Sequence, residues 1–219
     1  MTAQPMSQRT TVRRGTHRAE YSREAIRAIL REGTMAHVGV NTSDGPLVLP
    51  MAYGLTDDTL YIHGALANAL LKSGADHEIC VTVTILDGLV MAKCAFNHTM
   101  NYRSAVVRGR ARVVTDPDEH LSALRTVTDH IVPTWDAVRP ATQQELRATR
   151  VVALSLAECS AKVRTGHPTN DEADSGAAYW CGELPMVTRF GDPVTAPDAA
   201  GTMPAQVGAL AGRDAHSRT

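Results

Sequence analysis

Short β-branched segments separated by turn residues constrain the fold of this chain most strongly. The segments whose composition and alternation predict strands are Met35–Val40, Leu47–Tyr53, Leu60–His63, Glu78–Leu86, Gly88–Cys94, Tyr102–Thr115 and Val151–Leu156. Turn-forming residues lie between several of them, including the cluster Asn41–Pro46 and the pair Asp87-Gly88. Many short strands with few helices favour a mainly β fold, an antiparallel barrel that is closed or nearly closed, over a doubly wound sheet.

Three helices are predicted between these strands. Ser22 is suited to cap the first helix, which ends at Gly33, and Pro117 opens another that continues through Ile131. A shorter helix is predicted from Asn68 to Ser73. No Gly-x-Gly-x-x-Gly motif follows a strand, which agrees with the barrel prediction.

Length and composition predict one folded domain with polar ends. The chain has 219 residues, of which 43% are hydrophobic and 21% charged, as is typical of a soluble globular protein. Residues 1–20 are polar and aperiodic, which predicts a flexible leader. Residues 191–219 are rich in Pro, Gly and Ala without an apolar period, which predicts a disordered tail. The folded domain is therefore expected over residues 21–190.

Charge and cysteine usage exclude several classes of partner. The formal net charge of −1 provides no basic field, so nucleic acid is not an expected partner. No apolar run follows the leader arginines or reaches membrane-spanning length, so neither a secretory signal nor a membrane partner is expected. The four cysteines occur singly, which indicates reduced thiols and a cytoplasmic protein.

One polar run looks like a ligand loop that leads into a strand. Between Ala95 and Ser104 the chain carries an imidazole, an amide, a phenol, a guanidinium and a hydroxyl group. The Val-rich segment that follows predicts a strand, and a plain hairpin needs none of these groups. A solvated loop with a hydrogen-bonded histidine is the alternative interpretation.

Four motifs together resemble the pyridoxamine-phosphate-oxidase-like family, in particular the flavin-nucleotide-binding branch that includes nitroimidazole-resistance proteins. They are His37-Val38-Gly39, Leu60-Tyr61-Ile62-His63-Gly64, Thr82 to Val90, and His98-Thr99-Met100-Asn101-Tyr102-Arg103-Ser104. The resemblance covers roughly residues 17–190. It implies a split β-barrel that binds flavin mononucleotide (FMN) at a homodimer interface, and it leaves the reaction open.

The resemblance also implies a set of cofactor-binding residues. These are Pro50, Met51, His63, Gly64, Asn68, Lys72, Thr82, Asn101, Tyr102, Arg103 and Ser104. Many relatives carry Ser-Arg where this chain has Asn68-Ala69, so one guanidinium of the expected phosphate clamp is missing. Lys72 remains for the phosphate, with an exposed helix lysine as the alternative. For Arg103 the alternative is a salt bridge on the barrel exterior.

Two histidines are candidates for catalysis and for binding a cofactor. His98 is predicted to act as an acid or base, because a neutral imidazole titrates near neutral pH. Some split-barrel relatives bind haem through a histidine, which keeps His63 and His98 as candidate axial ligands. No His-Glu-x-x-His pattern occurs, so no metal site is predicted. The expected function is an FMN-binding oxidoreductase acting on a small molecule; the alternatives are a haem- or deazaflavin-dependent enzyme and a non-catalytic flavin-binding sensor.

Overall fold

The structure, a computed structural model, describes residues 3–74 and 77–216 and is built mostly of antiparallel strands. The strands are β1 (Ala19–Glu20), β2 (Ala36–Thr42), β3 (Gly45–Met51), β4 (Tyr53–Leu55), β5 (Thr59–Ala65), β6 (Glu78–Met91), β7 (Thr99–Arg110), β8 (Arg112–Val113), β9 (Thr149–Ser155), β10 (Cys159–Arg164) and β11 (Gly182–Pro185). The α-helices are α1 (Arg23–Glu32), α2 (Ala69–Gly74), α3 (Pro117–Ile131), α4 (Gln143–Ala148) and α5 (Ala205–Gly208).

The strands form two sheets around one main core. The larger sheet has the order β1-β10-β7-β6-β2-β3, and β11 pairs with the far end of β6. The smaller sheet has the order β4-β5-β9-β8. The chain leaves the larger sheet after Met51 and enters the smaller one at Tyr53, so a single residue joins the two. This arrangement confirms the predicted mainly β, antiparallel split barrel.

Helix α1 fills one side of the barrel core. The Ser22 hydroxyl accepts a hydrogen bond from the Ala25 amide at 3.2 Å, and the Gly33 amide donates to the Ile29 carbonyl at 2.9 Å. The buried side chains of α1 include Ile26 and Leu30, which belong to the main core. Both predicted ends of this helix are confirmed, because each depends on local capping chemistry.

Helix α3 covers the smaller sheet and starts as predicted. The Asp116 carboxylate accepts a hydrogen bond from the Glu119 amide at 2.8 Å, and Pro117 occupies the first turn. Ala123 and the strand residues Val151 and Ala153 form a second, smaller core under this helix. No helix among residues 3–74 and 77–216 combines the length and the apolar character needed to cross a membrane.

Three strand predictions are corrected by the structure. The turn predicted at Asp87-Gly88 is wrong: β6 runs without interruption from Glu78 to Met91. Its register against β7 shifts between Leu86 and Gly88, so Asp87 is the extra residue of a β-bulge. The predicted strand Leu47–Tyr53 is divided at Ala52, where the chain changes sheets. The predicted strand Tyr102–Thr115 is likewise divided at Ala111, between β7 of the larger sheet and β8 of the smaller one. In all three cases the partner strands override the local turn or strand signal.

The two ends of the chain make contacts that their composition does not predict. Within the predicted leader, Thr10 is buried and β1 pairs with β10. In the predicted disordered tail, the Gly212 amide donates to the Phe190 carbonyl at 2.9 Å, and the Ala215 amide donates to the Thr188 carbonyl at 2.8 Å. The backbone on either side of the Pro- and Gly-rich stretch therefore pairs with itself, a contact that composition does not reveal.

Candidate functional site

The larger sheet has one face that points away from the core, here named the outer face. Along β6, Val81, Val83 and Ile85 are buried, whereas the alternate residues Thr82 and Thr84 are partly or fully exposed. The register places Pro50, His37, Thr82, Val106 and Ser160 in one row across five strands. Side chains that lie directly opposite each other in a sheet share a face, so this row lies on the outer face.

A second row on the outer face carries two hydroxyl groups. Thr84 lies opposite Ser104, and their Oγ atoms are 3.1 Å apart. The next row contains Leu86 and Tyr102. The outer face therefore combines hydroxyl groups with apolar and aromatic side chains, which is the mixture that a flat, polar-edged ligand needs.

Four of the predicted cofactor residues meet on this outer face. They are Pro50, Thr82, Tyr102 and Ser104. The other predicted residues lie elsewhere. Met51 packs against the main core, and Asn101 and Arg103 occupy the opposite face of β7. The cofactor roles of all these residues stay predictions.

Two carboxylates hold the Arg103 side chain. Its Nε and Nη2 atoms donate to the two oxygens of Asp87 at 3.1 and 2.8 Å. Nη1 donates to Glu32 at the end of α1. These bonds raise the pKa of Arg103, with the hydrogen bond to Asp87 as the main cause. This interaction is a salt bridge, which was the alternative prediction for Arg103. It connects α1 to the β6 bulge, and its side chains are only partly exposed.

Asn101 belongs to a second polar network at the same end of the barrel. Its Oδ1 accepts from Arg164, and its Nδ2 donates to Glu183 at 2.6 Å. The other Glu183 oxygen lies 2.7 Å from His167 Nδ1. A cavity of about 470 Å³ lies beside this network and is also lined by Asp87 and Arg103. The hydrogen bonds thereby link side chains of β7, β10 and β11, and Asp87 of β6 lines the same cavity.

The segment that begins at the end of β5 is predicted to bind the cofactor phosphate, and two of its residues, Gly64 and Asn68, have structural roles. Asn68 Oδ1 accepts hydrogen bonds from the amides of Leu70 and Leu71 at 3.0 and 3.2 Å, so Asn68 caps α2. A Cβ at Gly64 would lie 2.9 Å from a Leu71 methyl group, which shows how closely α2 approaches β5. Lys72 is exposed and forms no ion pair with any residue that the structure describes.

His63 is the more enclosed of the two candidate histidines. It lies on β5 opposite Val151, on the face that carries the second core, and its Nδ1 is buried without a partner among the described residues. Burial lowers the pKa of His63 below its usual value, so the ring is neutral at neutral pH. His98 is exposed, and its Nε2 lies 3.2 Å from the Ala92 carbonyl oxygen. The structure therefore does not bring the two histidines into one site.

Sequence reasoning missed the acidic partners and the charged residues of β10. Glu32 and Asp87 lie far from Arg103 along the chain, and no local pattern pairs them. Lys162 and Arg164 alternate with Ala161 and Val163, a period-two pattern that would have indicated a strand with a charged face. No group of three or more His, Cys, Asp or Glu suited to a metal ion occurs in the described part of the chain.

Comparisons with known proteins agree with one another on the fold and the family. A family model described as pyridoxamine 5'-phosphate oxidase matches residues 22–163. The flavocytochrome Anf3 from Azotobacter vinelandii is 36% identical, with a TM-score of 0.90 over 94% of this chain and 97% of that one. An FAD and haem binding protein from Mycobacterium smegmatis is 33% identical, with a TM-score of 0.84 over 90% of this chain and 98% of that one. Among curated proteins, none matches the chain.

Proposed function

Because the chain belongs to the pyridoxamine 5'-phosphate oxidase family, we propose that it is a homodimeric redox protein that binds a flavin and a haem. One observation carries this proposal: two relatives with a third or more of their residues identical, over nearly their full length, are a flavocytochrome and an FAD and haem binding protein. The similarity extends beyond residue 163, where the family match ends.

The outer face suits a flavin. An isoalloxazine ring needs an apolar wall, and its polar edge and phosphate need hydrogen-bond donors. Pro50 and Val106 provide apolar surface, and the hydroxyls of Thr82, Thr84 and Ser104 provide donors on the same face. A second copy of the chain laid on this face would enclose the ring. We therefore place the flavin here, between two subunits.

His63 suits a haem iron better than His98 does. An axial ligand must be a neutral imidazole with a free nitrogen lone pair. His63 is neutral because of its burial, and its Nδ1 has no partner among the described residues. His98 is exposed, and its Nε2 contacts the Ala92 carbonyl. We propose His63 as the haem ligand and retain His98 as the acid or base.

The two cofactors define the reaction class. When bound, a flavin supplies hydride and single-electron chemistry and a haem supplies single-electron chemistry, whereas the protein positions them and excludes water. We propose an oxidoreductase that passes electrons from a small-molecule reductant through these groups. A protein that holds only a deazaflavin, or that holds a flavin without turnover, would instead match the two alternatives named from the sequence.

The visible spectrum of the purified protein tests this function. We expect flavin absorption together with a Soret band, and acid extraction followed by chromatography identifies FMN or FAD. His63→Ala should abolish the Soret band and retain the flavin, whereas the matched variant His98→Ala should retain both. A protein that takes up neither flavin nor haemin would refute the proposal.

A further inference from the structure

Three cationic side chains gather where β10 meets the N-terminal segment. Lys162 and Arg164 lie two residues apart on β10, and Lys162 is opposite Ala19 of β1. Arg18 directly precedes β1. A Cβ placed on Gly15 would lie 3.5 Å from the Lys162 Nζ and 3.9 Å from the Arg18 Cδ, so both side chains converge around this glycine. Arg18 is also close enough to Arg164 to lower its pKa.

These cations have no acidic partners. In the ranges 3–74 and 77–216, no carboxylate forms an ion pair with Arg18, Lys162 or Arg164. The Arg18 Nε donates to the His17 ring at 3.2 Å. Glu183 attracts Arg164 from a distance, but its oxygens already contact Asn101 and His167. Of the three, only Arg164 is buried, and a buried cation without a counter-ion is costly.

Arg164 adds a buried positive charge near Arg18 and Lys162. Only 6% of its surface is exposed, and its Nε is buried without a partner. Its Nη atoms donate only to neutral oxygens: the Asn101 amide, the Gly166 carbonyl at 2.9 Å and the His167 carbonyl at 3.1 Å. Burial lowers the pKa of Arg164, and Arg18 adds to this effect, against the attraction of Glu183 and Tyr102.

Hydroxyl groups of the outer face lie next to the cations. Lys162 is opposite Ser104, which is opposite Thr84, so the three side chains share one row. The Arg164 backbone lies opposite Tyr102 in the next row, but its guanidinium bonds to Asn101, which lies on the opposite face of β7. The two cations that converge around Gly15, Lys162 and Arg18, together with hydroxyls in the Lys162 row, match an anion with several oxygens, such as a diphosphate, better than a single carboxylate.

We propose that Arg18 and Lys162, with the hydroxyls of Ser104 and Thr84, form an anion site that binds the diphosphate of a nucleotide, and that the buried Arg164 adds positive charge close to it. The cationic residues define this site independently of which nucleotide it binds. Its assignment to flavin adenine dinucleotide, whose ring would lie on the same outer face, rests on the proposed function. A nicotinamide dinucleotide carries the same diphosphate and is the other source of this chemistry.

Calorimetric titration of the full chain with inorganic pyrophosphate tests the site directly. Arg18→Met and Lys162→Met should each weaken pyrophosphate binding about tenfold, because each removes a charge-assisted contact. Arg147→Met, which removes an exposed arginine of α4, is the matched control and should change the affinity less than twofold. Both test residues are partly exposed, so the variants avoid the folding defect that a substitution of the buried Arg164 would cause.

Competition and sedimentation separate the remaining outcomes. Displacement of pyrophosphate by FAD supports the flavin assignment, and displacement by NAD but not FAD supports the same site with the other dinucleotide. A wild-type protein that does not bind pyrophosphate, or variants that bind it equally well, would overturn the proposal. Variants that weaken self-association but not pyrophosphate binding would also overturn it, because the counter-ion would then be a carboxylate of a second copy. Pyrophosphate binding by a protein that takes up no flavin and no haem would leave the site standing and refute the proposed function.

Discussion

The Arg103 guanidinium joins the end of helix α1 to the bulge of β6. It bonds to Glu32 at the end of α1 and to Asp87 in the β6 bulge, and all three side chains are less than a third exposed. Removing a partly buried arginine leaves two carboxylates that repel each other and that have lost their donors. The main effect of substituting Arg103 should therefore be on folding.

Arg103→Met should lower the free energy of unfolding by about 2 to 3 kcal/mol, because it leaves two enclosed carboxylates without a partner. Urea unfolding followed by circular dichroism measures this change. The control is Arg125→Met, which removes an exposed arginine paired with Asp129 and should cost less than about 1 kcal/mol. Equal losses for the two variants would contradict this account of Arg103.

His63 should make the haem-free protein sensitive to acid. Its pKa is lowered by burial from the ordinary 6.5, so the unfolded state binds a proton more readily than the folded state. Stability linked to His63 is therefore fully present above pH 6.5 and is lost as the pH falls toward the folded-state pKa. Unfolding free energies measured between pH 7.5 and pH 5 should fall less steeply for His63→Gln than for the wild type. Parallel pH profiles would show that His63 is not the group responsible.

Local chemistry explains which residue roles could be predicted from the sequence. Ser22 caps α1 within three residues of its partner, and both this cap and the start of α3 at Pro117 were predicted from the sequence. Arg103 depends on Glu32, which is 71 positions away, so no local pattern revealed that contact. Asn68 illustrates the intermediate case, because its helix-capping role was available from spacing and the resemblance drew attention to a cofactor role instead.

For the secondary-structure elements, most strands could be predicted from the sequence, but not the residues at which they end. At the position of the β6 bulge the sequence predicts a turn, because Asp-Gly pairs usually form one. The strand continues because β7 pairs with it on both sides of Asp87 and β11 pairs beyond it. Strand β11 itself contains a proline and follows an irregular loop, so its pairing partner, not its composition, makes it a strand.

The contact between α3 and β4 depends on a glycine. A Cβ on Gly54 would lie 2.6 Å from the Val127 amide nitrogen and 2.8 Å from the Thr126 carbonyl oxygen, both of which are helix backbone atoms. Gly54→Ala should therefore push α3 off the smaller sheet and cost about 1 to 3 kcal/mol of unfolding free energy. Thermal unfolding provides the measurement. Gly176→Ala, at an exposed position with nothing within 4 Å, is the control and should be neutral or slightly stabilising.

For the whole molecule, the outer face carries more exposed apolar surface than an isolated barrel needs. Leu184, Leu89 and Met100 lie side by side on three neighbouring strands, and their exposed fractions are 55%, 40% and 47%. Contiguous apolar side chains of this kind mark an interaction surface. The row continues toward the proposed flavin residues, because Tyr102 lies two residues beyond Met100 on the same face of β7. A second copy of the chain would cover both at once.

Leu89→Asp should therefore raise the dissociation constant of the proposed homodimer at least about tenfold, because it places a charge in the centre of the apolar row. Sedimentation velocity over a range of protein concentrations measures this constant. Leu121→Asp is the control, since Leu121 is similarly exposed on α3 but lies outside the outer face. If the outer face also encloses the flavin, flavin affinity should fall together with dimerisation in Leu89→Asp and remain unchanged in Leu121→Asp. A wild-type protein that stays monomeric at micromolar concentration with its flavin bound would refute both the interface and the site between subunits.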